Sequence, residues 1–244
     1  MVVDITSNDL GKRAAAARAL EFVKSGMILG LGTGSTAAWF VKLLAEKIIT
    51  EGLVVSCVPT SRITRDQAYS LKIPLTTLEK TDFIDLVVDG TDEFDLDFNL
   101  IKGGGGALLQ EKIVASAAKH MLVITDSSKE SLCLGSFDLP VEIVKFGASS
   151  TKRFVENIVR DLGYHDVCAK YRKNADNERF VTDEGHLIID LALQKINEVS
   201  VLQDHLIKCA GVVETGLFLG MAKTIVVGNS DGSCKLIGVS KIGG

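Results

Sequence analysis

The segment Gly30-Leu31-Gly32-Thr33-Gly34-Ser35-Thr36 constrains this chain more than any other stretch. It closes the apolar run Met27 to Leu31 and opens the pattern Ser35 to Ile49, in which Phe40, Leu43, Leu44 and Ile48 recur at helical spacing. A strand that passes through glycines into a helix gathers free backbone N–H groups and the positive helix end at one point, which makes an anion site. A tight turn that needs glycines only for its φ angles is the competing reading.

The same order repeats downstream. Leu53 to Val58 reads as a strand, Pro59-Thr60-Ser61 precedes a helix to Ser70, Ile84 to Val88 is a further strand, and a helix from Gly106 to Ala118 feeds His120 to Thr125. Such alternation predicts an α/β fold with a parallel sheet flanked by helices. Ahead of it, Ser7, Asn8 and Asp9 offer N-caps for an Ala-rich helix over Lys12 to Val23, stopped by Gly26. After Val141 to Phe146 the pattern changes. A helix from Ser150 to Leu162 precedes three strand-like runs within Val167 to Asp190, with a hairpin turn at Glu184-Gly185; a helix from Glu198 to Cys209 and a strand at Val212 and Val213 follow. Thr224 to Val227 and Lys235 to Val239 read as a closing hairpin that rejoins the first domain. A length of 244 residues suits one large domain or two unequal ones. The expected division is 1–146 with 217–244, against a smaller α+β domain at 147–216.

The dinucleotide fingerprint requires a third glycine at position 35, where Ser stands, and an acid at the next strand end, which Val58, Pro59 and Thr60 occupy. Hydroxyls at Thr33, Ser35 and Thr36 fit a phosphate monoester better than NAD. A net charge of −4 supplies no basic field for a nucleic-acid backbone, which excludes nucleic acid as a partner and leaves a small anion open. Cys57, Cys133, Cys168, Cys209 and Cys234 are odd in number and never form a C-x-x-C pair, so reduced thiols in a cytoplasmic setting are expected. Met1 to Leu10 lacks the features of a targeting peptide, Lys241 to Gly244 carries no lipidation signal, and no apolar run approaches the ~18 residues of a membrane span.

Asp89-Gly90-Thr91-Asp92-Glu93-Phe94-Asp95 places carboxylates at a strand's carboxyl end, where open α/β sheets bind ligands. A phosphatase of the D-x-D-G-T type would need its nucleophilic Asp where Val87 stands. An EF-hand on Asp95, Asp97 and Asn99 would need Gly at Leu100 and Glu at Gly106. Both readings fail. Glu93, Asp95 and Asp97 suit a solvated acidic loop, while Asp89 and Asp92, nearest the strand end, are the ligand candidates.

Lys102 precedes Gly103-Gly104-Gly105-Gly106, and Glu111 and Lys112 lie early in the helix that follows. Four glycines lose much conformational freedom on folding and add no core side chain, so a bare connector explains them poorly. The lysine comes before the glycines, which rules out a P-loop. Lys102 can neutralise an oxyanion, and a desolvated Glu111 can take and return a proton. An exposed helix face is the competing reading of Glu111 and Lys112.

These three segments, in this order, together with NLIKGGGGALLQEKIV at Asn99 to Val114, Asp126 to Lys129 and VVETGLF at Val212 to Phe218, resemble the type A ribose-5-phosphate isomerase family from about Lys12 to Leu236. Thr91 stands where that family usually has Ala. The resemblance implies a Rossmann-like parallel-sheet domain with an inserted, smaller ferredoxin-like α+β domain. It also implies a homo-oligomer, dimer or tetramer, that interconverts ribose 5-phosphate and ribulose 5-phosphate in the pentose phosphate pathway with neither cofactor nor metal. By the same resemblance Glu111 is the general base, Lys102 stabilises the oxyanion, and Asp89 and Asp92 bind sugar hydroxyls and assist ring opening. Gly90, Thr91, Gly103, Gly104 and Gly105 line the sugar; Thr33, Gly34, Ser35 and Thr36 hold the phosphate; Lys129 and Lys12 reach the substrate.

His120, His165, His186 and His205 show no i, i+4 pairing and read as structural, Trp39 as packing and Cys57 as a buried thiol. Two rival functions remain. A sugar-phosphate sensor domain of a transcriptional repressor would need a DNA-binding module, for which the about 25 residues before the first strand are too few. An amino-sugar phosphate deaminase would need a His and Asp arrangement that none of the four histidines supplies near the motifs.

Overall fold

Leu86–Asp89 and Met121–Asp126 are buried at every position, as unbroken apolar runs in a sheet covered on both faces must be. The computed structural model describes residues 7–165 and 167–238. The readings of 1–6, of Val239 and of Lys241 to Gly244 lie outside the described residues. The chain runs through α1 (Ser7–Ala19), β1 (Ile28–Leu31), α2 (Ser35–Glu51), β2 (Ser56–Pro59), α3 (Arg62–Ser70) and β3 (Leu86–Asp89). It continues through β4 (Glu93–Phe94), β5 (Leu100–Ile101), α4 (Leu108–Ser116), β6 (Met121–Asp126), β7 (Leu139–Ile143), α5 (Ala148–Asp161), β8 (Ala169–Tyr171) and β9 (Leu187–Leu191). The last elements are α6 (Val199–Ile207), β10 (Val212–Thr215), β11 (Leu217–Phe218), β12 (Ala222–Gly228) and β13 (Cys234–Gly238).

The elements form two compact units. The first draws on Met1–Thr91, Gln110–Glu130 and Gly220–Gly244 and holds a six-stranded sheet in the order β13-β12-β6-β3-β1-β2. All its neighbours run parallel except β13, which pairs antiparallel with β12 as the expected closing hairpin. From β1 the chain moves to β2 on one side and then to β3 on the other, so the strand order reverses at β1 and β3. The α2 helix buries Ala37, Phe40, Val41, Leu44 and Ala45, an i, i+3, i+4, i+7, i+8 stripe that faces the sheet, and left-handed Gly52 ends it. Of these, Phe40, Val41, Leu44 and Ala45 join Leu29, Leu31, Leu86, Val88, Leu122 and Ile124 in one core, with Trp39 packed on its border as expected. Cys57 is fully buried there, and loss of water pushes its thiol up to about 12.

The second unit comprises Asp92–Leu109 and Ser131–Leu219. Its four-stranded antiparallel sheet has the order β10-β7-β9-β8. With α5 after β7 and α6 after β9, the succession β-α-β-β-α-β is the ferredoxin-like arrangement. Leu139, Val141, Ile143, Ile189 and Leu191 alternate onto the face that packs with Val155, Val159, Leu202 and Leu206 of the helices. A separate three-stranded sheet, β11-β5-β4, belongs to the same unit.

The structure departs from expectation in the domain division, where Asp92–Leu109, 131–146 and 217–219 also join the second unit, and in one strand-like run. The expected boundary at 146/147 falls behind β7, whereas the backbone of β7 pairs with β9 and β10 and its side chains enter the second core. Of the three strand-like runs within Val167 to Asp190, the middle one carries only the isolated bridges Lys173↔Arg179 and Val181↔Leu187. Its backbone is diverted into turns, in which the Asn174 side chain accepts from the N–H groups of Asp176 and Glu178. The hairpin turn at Glu184-Gly185 forms as expected, with the Gly185 N–H donating to the Thr182 carbonyl at 2.9 Å. No helix among the described residues is long and apolar enough to cross a membrane.

Two outcomes test this packing. Phe40→Ala, which empties the centre of the first core, is expected to lower unfolding free energy by about 3–5 kcal/mol in a denaturant titration. Under brief alkylation at pH 8 the exposed Cys168 and Cys234 react in the native protein, while Cys57 reacts only after denaturation, as counted by peptide mass.

Candidate active site

Ligands of open α/β sheets bind beyond the carboxyl ends of the strands where the order reverses, and here that place is the end of β1 beside the end of β3. Asp89, the last residue of β3, is 1% exposed. Its Oδ1 accepts the N–H of Thr33 at 3.1 Å and that of Gly90 at 2.7 Å. The Gly32 N–H donates to the Val88 carbonyl at 2.9 Å, so the turn continues the sheet's ladder by one bond. A Cβ on Gly32 would stand 2.1 Å from Asp89 Oδ1. The second glycine of the turn is therefore dictated by the carboxylate packed against it.

Beneath the turn lies a hydroxyl cluster that the sequence reading missed. Thr33 Oγ1 is 2.8 Å from Thr60 Oγ1 and donates to Ser61 Oγ at 2.8 Å. Thr60 Oγ1 donates to the Leu31 carbonyl at 3.0 Å, and Thr64 Oγ1 donates to that of Gly32 at 2.9 Å. Ser61 also caps α3 by accepting the Thr64 N–H at 3.1 Å. Pro59-Thr60-Ser61 reads along the chain only as a helix start, and its one further signal is two adjacent hydroxyls at the carboxyl end of the strand beside β1, with Thr64 a turn further on. The Thr33 hydroxyl is thus turned into the protein. Gly34 and Ser35 are exposed and Thr36 is half-buried. Gly34 occupies the N-cap of α2 without a side-chain cap, which leaves the first-turn N–H groups facing outward to an anion.

In the second unit Asp92 is half-buried, and its Oδ2 accepts the Gly104 N–H at 2.7 Å. A Cβ on Gly104 would lie 2.6 Å from Asp92 Oδ1, so each candidate aspartate is matched to a glycine that lets backbone reach it. Lys102 is 2% exposed, with its ammonium 5.5 Å from the centroid of the Phe218 ring. Gly103 is buried and Gly105 exposed. Glu93 corrects the expectation of a solvated acid. It is buried, and its carboxylate accepts the N–H groups of Gly135 at 3.0 Å, Ser136 at 3.3 Å and Phe137 at 3.0 Å, clamping that loop. Asp95 closes its own turn by accepting from Asp97 and Asn99.

Glu111 and Lys112 are 4% and 8% exposed, so the exposed-face reading of α4 is wrong. Glu111 lies in the first turn of α4, where the helix dipole favours a negative charge. Gly90 and Thr91 are half-buried just past Asp89. Lys129 is half-buried in the turn after β6, a turn fixed by Asp126 accepting the Ser128 N–H at 3.0 Å. Lys12 is half-buried on α1. Three of the four histidines take structural partners: His120 Nε2 is 3.0 Å from Thr224 Oγ1, His186 Nδ1 is 2.9 Å from Glu142 Oε1, and His205 Nδ1 is 2.8 Å from the Val201 carbonyl oxygen.

The chain is similar in sequence and in fold to known proteins. The family model described as ribose 5-phosphate isomerase A (phosphoriboisomerase A) matches residues 56–232. The ribose-5-phosphate isomerase A of Rhodopseudomonas palustris is 52% identical over 221 residues, 91% of this chain and 94% of that protein. That of Cereibacter sphaeroides is 48% identical over 236 residues, 97% and 90% of the two chains. The solved ribose 5-phosphate isomerase from Plasmodium falciparum superposes with a TM-score of 0.89 at 36% identity, covering 96% of this chain and 99% of that one. The ribose 5-phosphate isomerase A from Methanocaldococcus jannaschii superposes with a TM-score of 0.87 at 34% identity, covering 96% and 100%. With the family model spanning most of the chain and relatives at half identity over nearly all of it, the chain belongs to the ribose 5-phosphate isomerase A family.

Proposed function

We propose that the chain interconverts D-ribose 5-phosphate and D-ribulose 5-phosphate through an enediolate, with Glu111 as the base. The observation that carries this reading is the burial of charge at the motif positions. Asp89, Lys102, Glu111 and Lys112 are each 8% exposed or less, and ionised groups are withdrawn from water only where interactions offset their desolvation. A structural relative at 34% identity was solved in complex with phospho-erythronic acid, a phosphorylated sugar acid.

In the proposed reaction Asp89 and Asp92 bind sugar hydroxyls and assist ring opening. The Glu111 carboxylate removes the proton from C2 of the open aldose, and the released electron pair forms the C1–C2 double bond while negative charge moves onto O1. Lys102 stabilises that oxyanion. Glu111 then returns its proton to C1, while the O2 hydroxyl proton passes to O1, so that O1 becomes the hydroxyl and C2 the ketone. Hydrogen and electrons balance within one molecule, so the step draws on no external oxidant or reductant. Gly34, Ser35 and Thr36, at the uncapped start of α2, hold the phosphate, with Lys129 and Lys12 supplying positive charge. A homo-oligomer in the cytoplasm belongs to the same proposal, and sedimentation tests its oligomeric half.

The decisive experiment follows ribose 5-phosphate in D₂O and excess EDTA by NMR. Ribulose 5-phosphate is expected to form, with deuterium appearing at C2 of recovered ribose 5-phosphate. Binding without turnover or exchange would instead favour the sensor reading, and ammonia released from glucosamine 6-phosphate the deaminase. Glu111→Gln is expected to lower kcat at least ~100-fold with a smaller change in KM; near-normal turnover would remove Glu111 from the role. Ser35→Ala is expected to raise KM about tenfold, the effect of one lost hydrogen bond to a charged group. An unchanged KM would place the phosphate elsewhere.

A further inference from the structure

The glycine run has an anchor outside all of the motifs. Arg172 follows β8, and its backbone is fixed on both sides: its N–H donates to the Ile188 carbonyl at 2.9 Å and its carbonyl accepts from Phe180 at 2.9 Å. Nε and Nη2 of the guanidinium engage Asp190 of β9 in a two-pronged pair, at 3.0 Å and 2.5 Å. The side chains of Arg172 and Asp190 are 14% and 19% exposed. A fork held at two nitrogens has a fixed plane, which directs the third, Nη1, at the carbonyls of Gly103 (2.5 Å) and Gly104 (3.2 Å).

The Gly103 carbonyl and the Gly104 N–H belong to one peptide group. Its oxygen faces the Arg172 cation, while its N–H donates to Asp92 Oδ2 at 2.7 Å. The series Asp190, Arg172, peptide 103–104 and Asp92 thus alternates acceptor and donor. A cation on the carbonyl strengthens the N–H as a donor, as in any polarised chain of hydrogen bonds. A polyglycine segment has no rotameric or steric preference of its own to hold this orientation. We propose that Arg172, itself held by Asp190, is a positioning residue for the isomerisation: it sets the orientation of the Gly103–Gly104 peptide and through it the carboxylate of Asp92. The proposal rests on the function proposed above in so far as Asp92 and the glycines serve the sugar.

The test pairs amide hydrogen exchange, read by mass spectrometry on peptides across Gly103–Ala107 of the unliganded protein, with steady-state kinetics on ribose 5-phosphate. In Arg172→Ala the loop amides are expected to exchange at least ~10-fold faster while the β7–β9 amides keep their protection. The expected kcat falls about 10- to 100-fold, the scale of a small misplacement at a reacting centre, with KM within about threefold. Millimolar guanidinium should restore part of the kcat, and equal ammonium should not, because only the planar ion refills the fork. If Arg172→Ala does not fold, Arg172→Lys carries the test, since it keeps the charge but cannot hold Asp190 and the loop together; it should show the same loosening. Unchanged loop exchange in the folded variant overturns the anchoring. Faster exchange with kcat within twofold of wild type overturns the link to the reaction. A wild-type protein that does not turn over ribose 5-phosphate defeats the proposed function instead, and the exchange comparison still decides whether Arg172 orders the loop.

Discussion

One carboxylate oxygen ties the first unit together at the carboxyl ends of its strands. Asp89 Oδ1 takes the N–H groups of Thr33 and Gly90, and so joins the exits of β1 and β3 where no further ladder bond is available. The bond requires the backbone at Gly32 to lie against the carboxylate, which requires the glycine; the direction of the turn then fixes where α2 begins. Two N–H donors on the buried carboxylate offset part of the cost of taking it out of water. The geometry of the turn and the polarity of the site therefore follow from the same contact.

The second unit solves a related problem by different means. Its glycine loop has no core side chains, so order must come from hydrogen bonds at its backbone. These arrive from Asp92 on the N–H side and from Arg172 on the carbonyl side, while Lys102 donates its own N–H to the Gly216 carbonyl at 2.8 Å. Glu93 does the same for another loop by collecting three N–H groups. In both cases charge is spent on holding backbone, which is why the polar face of an otherwise ordinary antiparallel sheet carries an arginine–aspartate pair.

Features encoded by neighbours in the chain were legible in the sequence. The parallel strands, the glycine turn, the stripe on α2 and the hairpin at Glu184-Gly185 all depend on local period or turn chemistry. Asp89, Lys102 and Glu111 stood out by residue type and setting, and all three are buried; their roles come from the family resemblance and belong to the proposal. What stayed hidden depends on distant partners. The strand β7 reads the same whichever sheet it joins, and its membership is fixed by pairing with β9 and β10. Thr60, Ser61 and Thr64 look like a helix cap until β2 is set beside β1. Glu93 resembles its solvated neighbours until its three donors, some forty residues away, come into view. Arg172 carries no signal at all without its contacts.

The sheet order of the first unit bears on how the chain is made. In the finished sheet β6 lies between β3 and β12, yet β6 ends at Asp126 and β12 begins only at Ala222. At ordinary rates of ribosomal elongation that interval lasts on the order of ten seconds. During it β6, whose every residue is destined for burial, presents an unpaired apolar edge of the kind that recruits foreign strands. The intervening segment contains all four strands of the ferredoxin-like sheet and both of its helices, so it can close on itself while the edge waits. The vulnerable species in biosynthesis is therefore the nascent chain that has completed its second domain and still lacks the last strands of its first.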